Sequence, residues 1–443
     1  MGQYQSAAEK ISKVASQSSS KKNRLLWALQ ETVVHYWAGD FASCLLAGER
    51  AELAIAEMED APSLSLSKMI NRLGVFASNE TQATYRGLAS DKIMLHGFKA
   101  LAYLMEGKPE ASAVELRRAE QRRRMAFEQY RKAITASIGS AEGQTSRKLD
   151  RVLASDTFRQ AVDRHYGVLD ELPHYKDFSS PLTMFLDGAL SAVRFGDRSS
   201  LEHAMSTLGT LKGMLVCDAF DLFLKECDSR RMGRHPRAWV HLIIERGFAP
   251  RKVSESIDIP LVIDGRVTGL HFAFPAMKPQ PLSSEKSVAI IGEERFDSSL
   301  LCDVDAVQMR ELKSQLPSLV WSQLASASSK ALLESELSQV SPVLGLLAYG
   351  VNAGLNVADT RSWNLLPKQV ELISVPLSTS QIKLKVGGQR LSIKGLAPDG
   401  DQLVHVKQVD GPLSYHTCPL WDPYGTSLPV DRNRLQSESV PSN

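Results

Sequence analysis

The chain has 443 residues, 43 % of them hydrophobic and 23 % charged, with a net charge of only +2. It is long enough for two or three domains with real cores, and its charge balance excludes a global field drawing it to nucleic acid or an anionic surface. No apolar run reaches the roughly 18–20 residues that span a bilayer, and the five cysteines contain no C-x-x-C pair.

The first 235 residues read as helices. Leu25, Leu26, Leu29, Val33 and Val34 recur near helical spacing, and after Gly39-Asp40 come Leu45, Leu46, Ala51 and Ala54. Ile93 to Leu104 predicts a helix with Leu95, Phe98, Leu101 and Ala102 on one stripe; after Gly107-Lys108, Ala111, Val114 and Ala119 open a helix reaching about Ile138. Gly39 and Gly107 stand 68 residues apart, twice the 34-residue tetratricopeptide period, and Gly2 to Ala7 resembles a further turn 37 residues before Gly39. Opening on an interhelical turn implies that the natural chain begins further upstream, where an export signal would lie. Gly139 to Gly143 predicts a flexible loop, and Phe158 to Leu169, Leu182 to Phe195 and Leu201 to Leu215 continue the array, with Gly196-Asp197 as another turn.

The period then changes to two. Strands are expected at Trp239 to Ile244, Val253 to Ile263, Leu270 to Phe274, Val288 to Ile291, Val370 to Leu377, Ile382 to Val386, Leu391 to Ile393 and Leu403 to Lys407, with a Gly387-Gly388 hairpin. Asp303 is a helix cap, Leu319 to Leu337 a further helix and Val343 to Val357 a buried small-residue helix. The expected architecture is α+β and multidomain. An all-α, TPR-like array over 1–235 precedes a β-sandwich-like domain over 236–431, with helices inserted at about 303–358 and a disordered tail over 432–443. Two small α+β lobes are the alternative.

Three stretches carry a family likeness: Tyr85-Arg86-Gly87 with Asp91 to His96, Ala100 to Leu104 and Glu115 to Ala119; Glu245 to Lys252 leading into Ile257 to Pro260; and Asp359 to Pro367. On them the whole chain resembles a family of bacterial proteins of unknown biochemical activity, with a tetratricopeptide-like front half and a β-rich rear. The resemblance implies exported, often lipid-anchored envelope proteins, encoded near small lipoproteins similar to activators of peptidoglycan synthases. An envelope assembly role follows, with lipoproteins as protein partners and a periplasmic or outer-membrane-associated location; a cytoplasmic adaptor is the alternative. Attachment to a membrane would be peripheral or through a lipid on an upstream signal.

No nucleophile elbow, zinc helix, dinucleotide fingerprint or P-loop occurs, so no catalytic residue, metal or cofactor is assigned. The basic run Arg117 to Arg124 and the cluster Arg230 to Arg237 have no interleaved aromatics; the first reads as a solvated helix face with (i, i+4) pairs, and no nucleic-acid partner is expected. Asp359-x-Arg361-x-Trp363 reads as a fork-type ion pair beside a buried aromatic, against a ligand clamp with a stacking tryptophan. Lys92, His96, Lys99 and Tyr103 lie off the apolar stripe of their helix and are the expected partner-binding residues, facing a groove.

Overall fold

The computed structural model describes residues 2–17, 21–59, 84–139, 150, 152–171, 180–195, 197–215, 217–234, 238–263, 266–317, 319–320, 358–408 and 413–420. Helices fill the front: α1 (Gly2–Gln17), α2 (Arg24–Trp37), α3 (Phe41–Glu59), α4 (Ala89–Met105), α5 (Pro109–Gly139), α6 (Asp156–Tyr166), α7 (Pro181–Leu190), α8 (Arg198–Met214) and α9 (Asp218–Arg231). Strands take over from Trp239, so the chain is α+β with a helical first half and a strand-rich second half.

The interhelical glycine turns share one construction. Gly39 adopts φ 76, open to glycine at little cost, and its N–H and that of Asp40 bond back to the Tyr36 and His35 carbonyls. Asp40 then accepts the Ser43 N–H and starts α3. Gly107, at φ 71, closes α4 with the same pair of bonds, onto Leu104 and Tyr103, before Pro109 opens α5.

The strands are β1 (Trp239–Arg246), β2 (Arg251–Ile263), β3 (Arg266–Lys278), β4 (Val288–Ile291), β5 (Glu294–Asp297), β6 (Ser299–Asp303), β7 (Gln369–Pro376), β8 (Gln381–Val386), β9 (Gln389–Lys394), β10 (Gln402–Gln408) and β11 (Ser414–Pro419). Helix α10 covers 304–317, its N–H of Ala306 held by Asp303 as expected. A five-stranded sheet runs β11-β10-β1-β7-β6, with β1 and β10 parallel; a four-stranded antiparallel sheet runs β5-β4-β8-β9; β2 and β3 form a long hairpin. Each of the two larger sheets draws strands from both sides of the 304–358 stretch, which excludes two separate lobes. The helices expected over Leu319 to Leu337 and Val343 to Val357, the Gly139 to Gly143 loop and the tail lie wholly or mostly outside the described residues.

The alternation of β1 sorts its two faces. Val240, Leu242 and Ile244 join Ile373, Val375, Val404 and Val406 against Ala289, Ile291, Ile382, Leu384 and Ile393 of the four-stranded sheet. Trp239 and Ile243 turn the other way, into one buried cluster with Leu29, Tyr36, Trp37, Phe98, Leu182, Phe185, Phe220, Phe223, Leu372 and Leu403. Helices and five-stranded sheet therefore share a core. A second cluster joins α6, the β2–β3 hairpin and α10 through Phe158, Tyr166, Phe272, Phe274, Met309 and Leu312.

Candidate functional site

Three helices present matched charges. Glu52 and Glu59 lie seven residues apart on α3, and Lys92 and Lys99 seven apart on α4, so two turns of one helix face two turns of the other. Lys92 bonds Glu59 at 3.0 Å and Lys99 bonds Glu52. From α5, Arg122 reaches Glu59 at 2.6 Å, and Glu115 takes Lys99 at 3.1 Å and His96 Nδ1 at 2.7 Å. Arg118 closes the ladder on Glu115 at 2.9 Å and on Glu52 at 3.6 Å.

This corrects the expected groove. His96 and Lys99 are 3 % and 2 % exposed, enclosed between α3 and α5 instead of facing solvent, while Lys92 and Tyr103 are half-buried. The stem of Lys99 passes Gly48 so closely that a Cβ there would stand 2.9 Å from its Cγ and Cδ. Burial opposes the Lys99 charge, but its bonds to Glu52 and the Glu115 charge outweigh that and hold it above its ordinary value. Burial likewise pushes Glu115 up, and the bonds from His96 and Lys99 more than reverse it. Glu52, His96 and Glu115 offer three ligand atoms within 4.8 Å of one another; the Lys99 ammonium already sits on both carboxylates and takes the cation's place.

A second polar cluster, unanticipated as a site, lies where α2 meets the sheet. The Tyr36 hydroxyl is 2.8 Å from His405 Nδ1, and His405 Nε2 is 3.2 Å from Glu245 Oε1, although not aligned for a hydrogen bond. A proton on Nε2 suits the neighbouring carboxylate, leaving Nδ1 to accept from Tyr36. Lys407 donates to Glu245 Oε2 at 3.1 Å and lies 5.1 Å from the Trp37 ring centre. His416 stacks on Trp37 at 5.5 Å. Tyr36, Glu245 and His405 have no exposed surface. Burial raises Tyr36 well above its usual range and lowers His416 to about 3; it opposes the Glu245 charge too, but Lys407 and His405 win and hold that carboxyl low. Trp37 Nε1, His405 Nε2, His416 Nε2 and Glu245 Oε1 are all buried without a hydrogen-bond partner. Tyrosine, histidine and glutamate follow one another here, but the unaligned His405–Glu245 contact interrupts a hydrogen-bonded proton path, and all three side chains are fully buried.

Its signal was visible in part. In Trp239-Val240-His241-Leu242-Ile243-Ile244-Glu245 and Leu403-Val404-His405-Val406-Lys407 the polar residues share one strand face with Trp239, Ile243 and Leu403. Ionisable groups on the buried face of central strands demand partners, but only the fold says that α2 supplies Tyr36.

The remaining predicted group is compact. Arg361 grips Asp359 through Nε at 2.8 Å and Nη2 at 2.9 Å, and its Nη1 donates to Asn23 Oδ1 at 2.8 Å. Trp363 is fully buried, 6.1 Å from Phe98 by ring centres. Nearby, Asp91 accepts from Leu88 N–H, the Tyr85 hydroxyl and Gln308, while Glu311 of α10 accepts Ser90 N–H and Oγ. Burial, aided by Glu311, pushes Asp91 up to about 7 against those donors. Of the basic residues, Arg123 and Arg124 pair with Glu120 along their helix, and Arg230 bridges α9 to Asp401 at 2.7 Å.

No protein-family model matches the chain, and no curated protein or solved structure matches it either.

Proposed function

We propose that the chain is a non-enzymatic helical-repeat scaffold or adaptor that mediates protein–protein interactions in the bacterial cell envelope, at a periplasmic or outer-membrane-associated location. The pairs α2–α3 and α4–α5 are read as TPR-like units, and the two stacked sheets as a sandwich-like partner domain. The observation that carries the reading is the likeness of the two pairs, closed by the same glycine turn and packed side by side. Tyr36 of α2 packs on His405 of the sheet and Phe98 of α4 on Trp363, and we therefore take the outer helices as the partner surface. There Leu46 and Leu53, seven residues apart on α3, are 57 % and 63 % exposed. The burial that raises the thiols of Cys44, Cys227, Cys302 and Cys418 supports a role without nucleophilic chemistry.

Photo-crosslinkers placed at Leu46 and Leu53, with Val168 as a control, test it in envelope preparations. Discrete protein adducts from α3 and none from Val168 are expected; the same pattern at all three, or adducts only with cytoplasmic proteins, sinks the envelope scaffold. The second reading, a ligand-binding protein or enzyme with its site at the junction of helices and sheet, is favoured by the four orphaned polar atoms around Trp37. It would be preferred if Tyr36→Phe abolished a small-molecule activity of the purified chain while leaving its stability unchanged.

A further inference from the structure

We propose that the outer face of the four-stranded sheet docks on an anionic phospholipid surface. The inference stands apart from the protein-partner reading, because it uses a different face. Strand β8 alternates so that Ile382, Leu384 and Val386 are buried while Gln381, Lys383 and Lys385 point out. On β9, Arg390, Ser392 and Lys394 point out beside them, and on β5 so does Arg295. The pairing places Arg295, Ile290, Lys383 and Ser392 in one row across the strands. The next row is Asp297, Val288, Lys385 and Arg390.

Five cations thus share a face with one carboxylate, Asp297, which Arg295 takes, and Lys385 meets Glu285 at the margin. Lys383, Arg390 and Lys394 have no ion-pair partner among the described residues. Lys385 stands directly opposite Arg390, an arrangement that costs a sheet stability and that an external anion would relieve. The cations are spread in two dimensions over three of the four strands, β5, β8 and β9. Neighbouring strands lie about 4.8 Å apart, and the cations do not fall on the single line that an extended acidic segment would follow. A layer of headgroups engages such an array at once. Ile290, 42 % exposed in its midst, supplies an apolar side chain to enter the interface. Glu293 of the β4–β5 turn and Glu294 at the start of β5 sit at one corner.

The test is co-sedimentation of the full chain with vesicles of phosphatidylglycerol mixed with phosphatidylcholine, and with phosphatidylcholine alone. Binding is expected only to the first, falling with added salt. Each cation near such a surface contributes about fivefold in affinity, so Lys383→Gln, Arg390→Gln and Lys394→Gln together should weaken binding roughly 100-fold. The melting temperature checks that the triple variant folds; if it does not, Lys383→Gln alone should weaken binding about fivefold. Equal binding to both vesicle types, or undiminished binding by a folded variant, overturns the proposal. So does displacement from the vesicles by soluble polyglutamate at matched charge, which would assign the face to an acidic protein.

Discussion

Gly48 and Lys99 show how a single missing side chain governs a buried ion network. A glycine within a helix ordinarily costs about 1 kcal/mol relative to alanine, so Gly48→Ala in α3 should stabilise if only the backbone mattered. Here the new methyl group would meet the Lys99 stem at 2.9 Å. Those atoms are no free end, since the ammonium beyond them is held by Glu52 and Glu115. Overpacking costs about 1–3 kcal/mol, and any shift of the ammonium strips charge from Glu115, itself 3 % exposed. The strain wins. Gly48→Ala is expected to lower the urea midpoint, whereas Gly209→Ala in α8, where nothing lies within 4 Å, should raise it slightly. Equal gains from both would mean that the Lys99 stem moves freely and that the ladder is loose.

Between elements, the junction of α4 with α10 makes a pH-dependent prediction. Asp91 caps the first turn of α4 beside Glu311, facing Tyr85, Gln308 and the more distant Lys252. Its folded value of about 7 lies above the ordinary 3.8, so the folded chain holds a proton there that the unfolded chain releases. The stability it contributes is complete below about pH 4 and is lost as pH rises through about 7. The urea midpoint should therefore fall between about pH 4 and pH 7 and level off above that, and Asp91→Asn, which keeps an acceptor for Leu88 N–H, should flatten that slope. A variant as steep as the parent would place the titration elsewhere. The same scale explains what the sequence revealed. Strands with two neighbours were legible from their alternation or apolar runs, whereas the three that were missed, β5, β6 and β11, are all sheet edges. An edge strand packs and pairs on one side only, and Glu294-Arg295-Phe296-Asp297 has barely any apolar pattern to read. The heptads of Glu52/Glu59 and Lys92/Lys99 were also present, but spacing alone does not reveal which helices touch. Lys99 was expected in solvent for that reason.

For the molecule as a whole, the question is whether the helices fold without the sheet. Helical spacing ends and strand alternation begins near Gly233, which divides the secondary structure, yet the buried cluster runs across that division. Tyr36, Trp37, Phe98, Phe185 and Phe223 lie in one core with Trp239, Ile243, Leu372 and Leu403. Phe223 stands 4.6 Å from the His241 ring and Trp37 4.8 Å from His405 by ring centres. Arg230 of α9 reaches Asp401, whose carboxylate also holds the Trp239 N–H. Cutting after residue 235 would bare these aromatics on one piece. On the other it would leave Glu245, His405 and Lys407 without α2 covering them. Each buried aromatic returned to water loses about 1.5–3 kcal/mol, and five of them match the whole stability of an ordinary domain, about 5–15 kcal/mol. A fragment of residues 1–235 is therefore expected to keep helical far-ultraviolet circular dichroism, to lose fixed aromatic signals and to bind a hydrophobic dye. The full chain should melt in one transition over both halves. A fragment that unfolds cooperatively with native-like aromatic signals would instead show that the helices need no sheet beneath them, and that the shared core joins two already stable bodies.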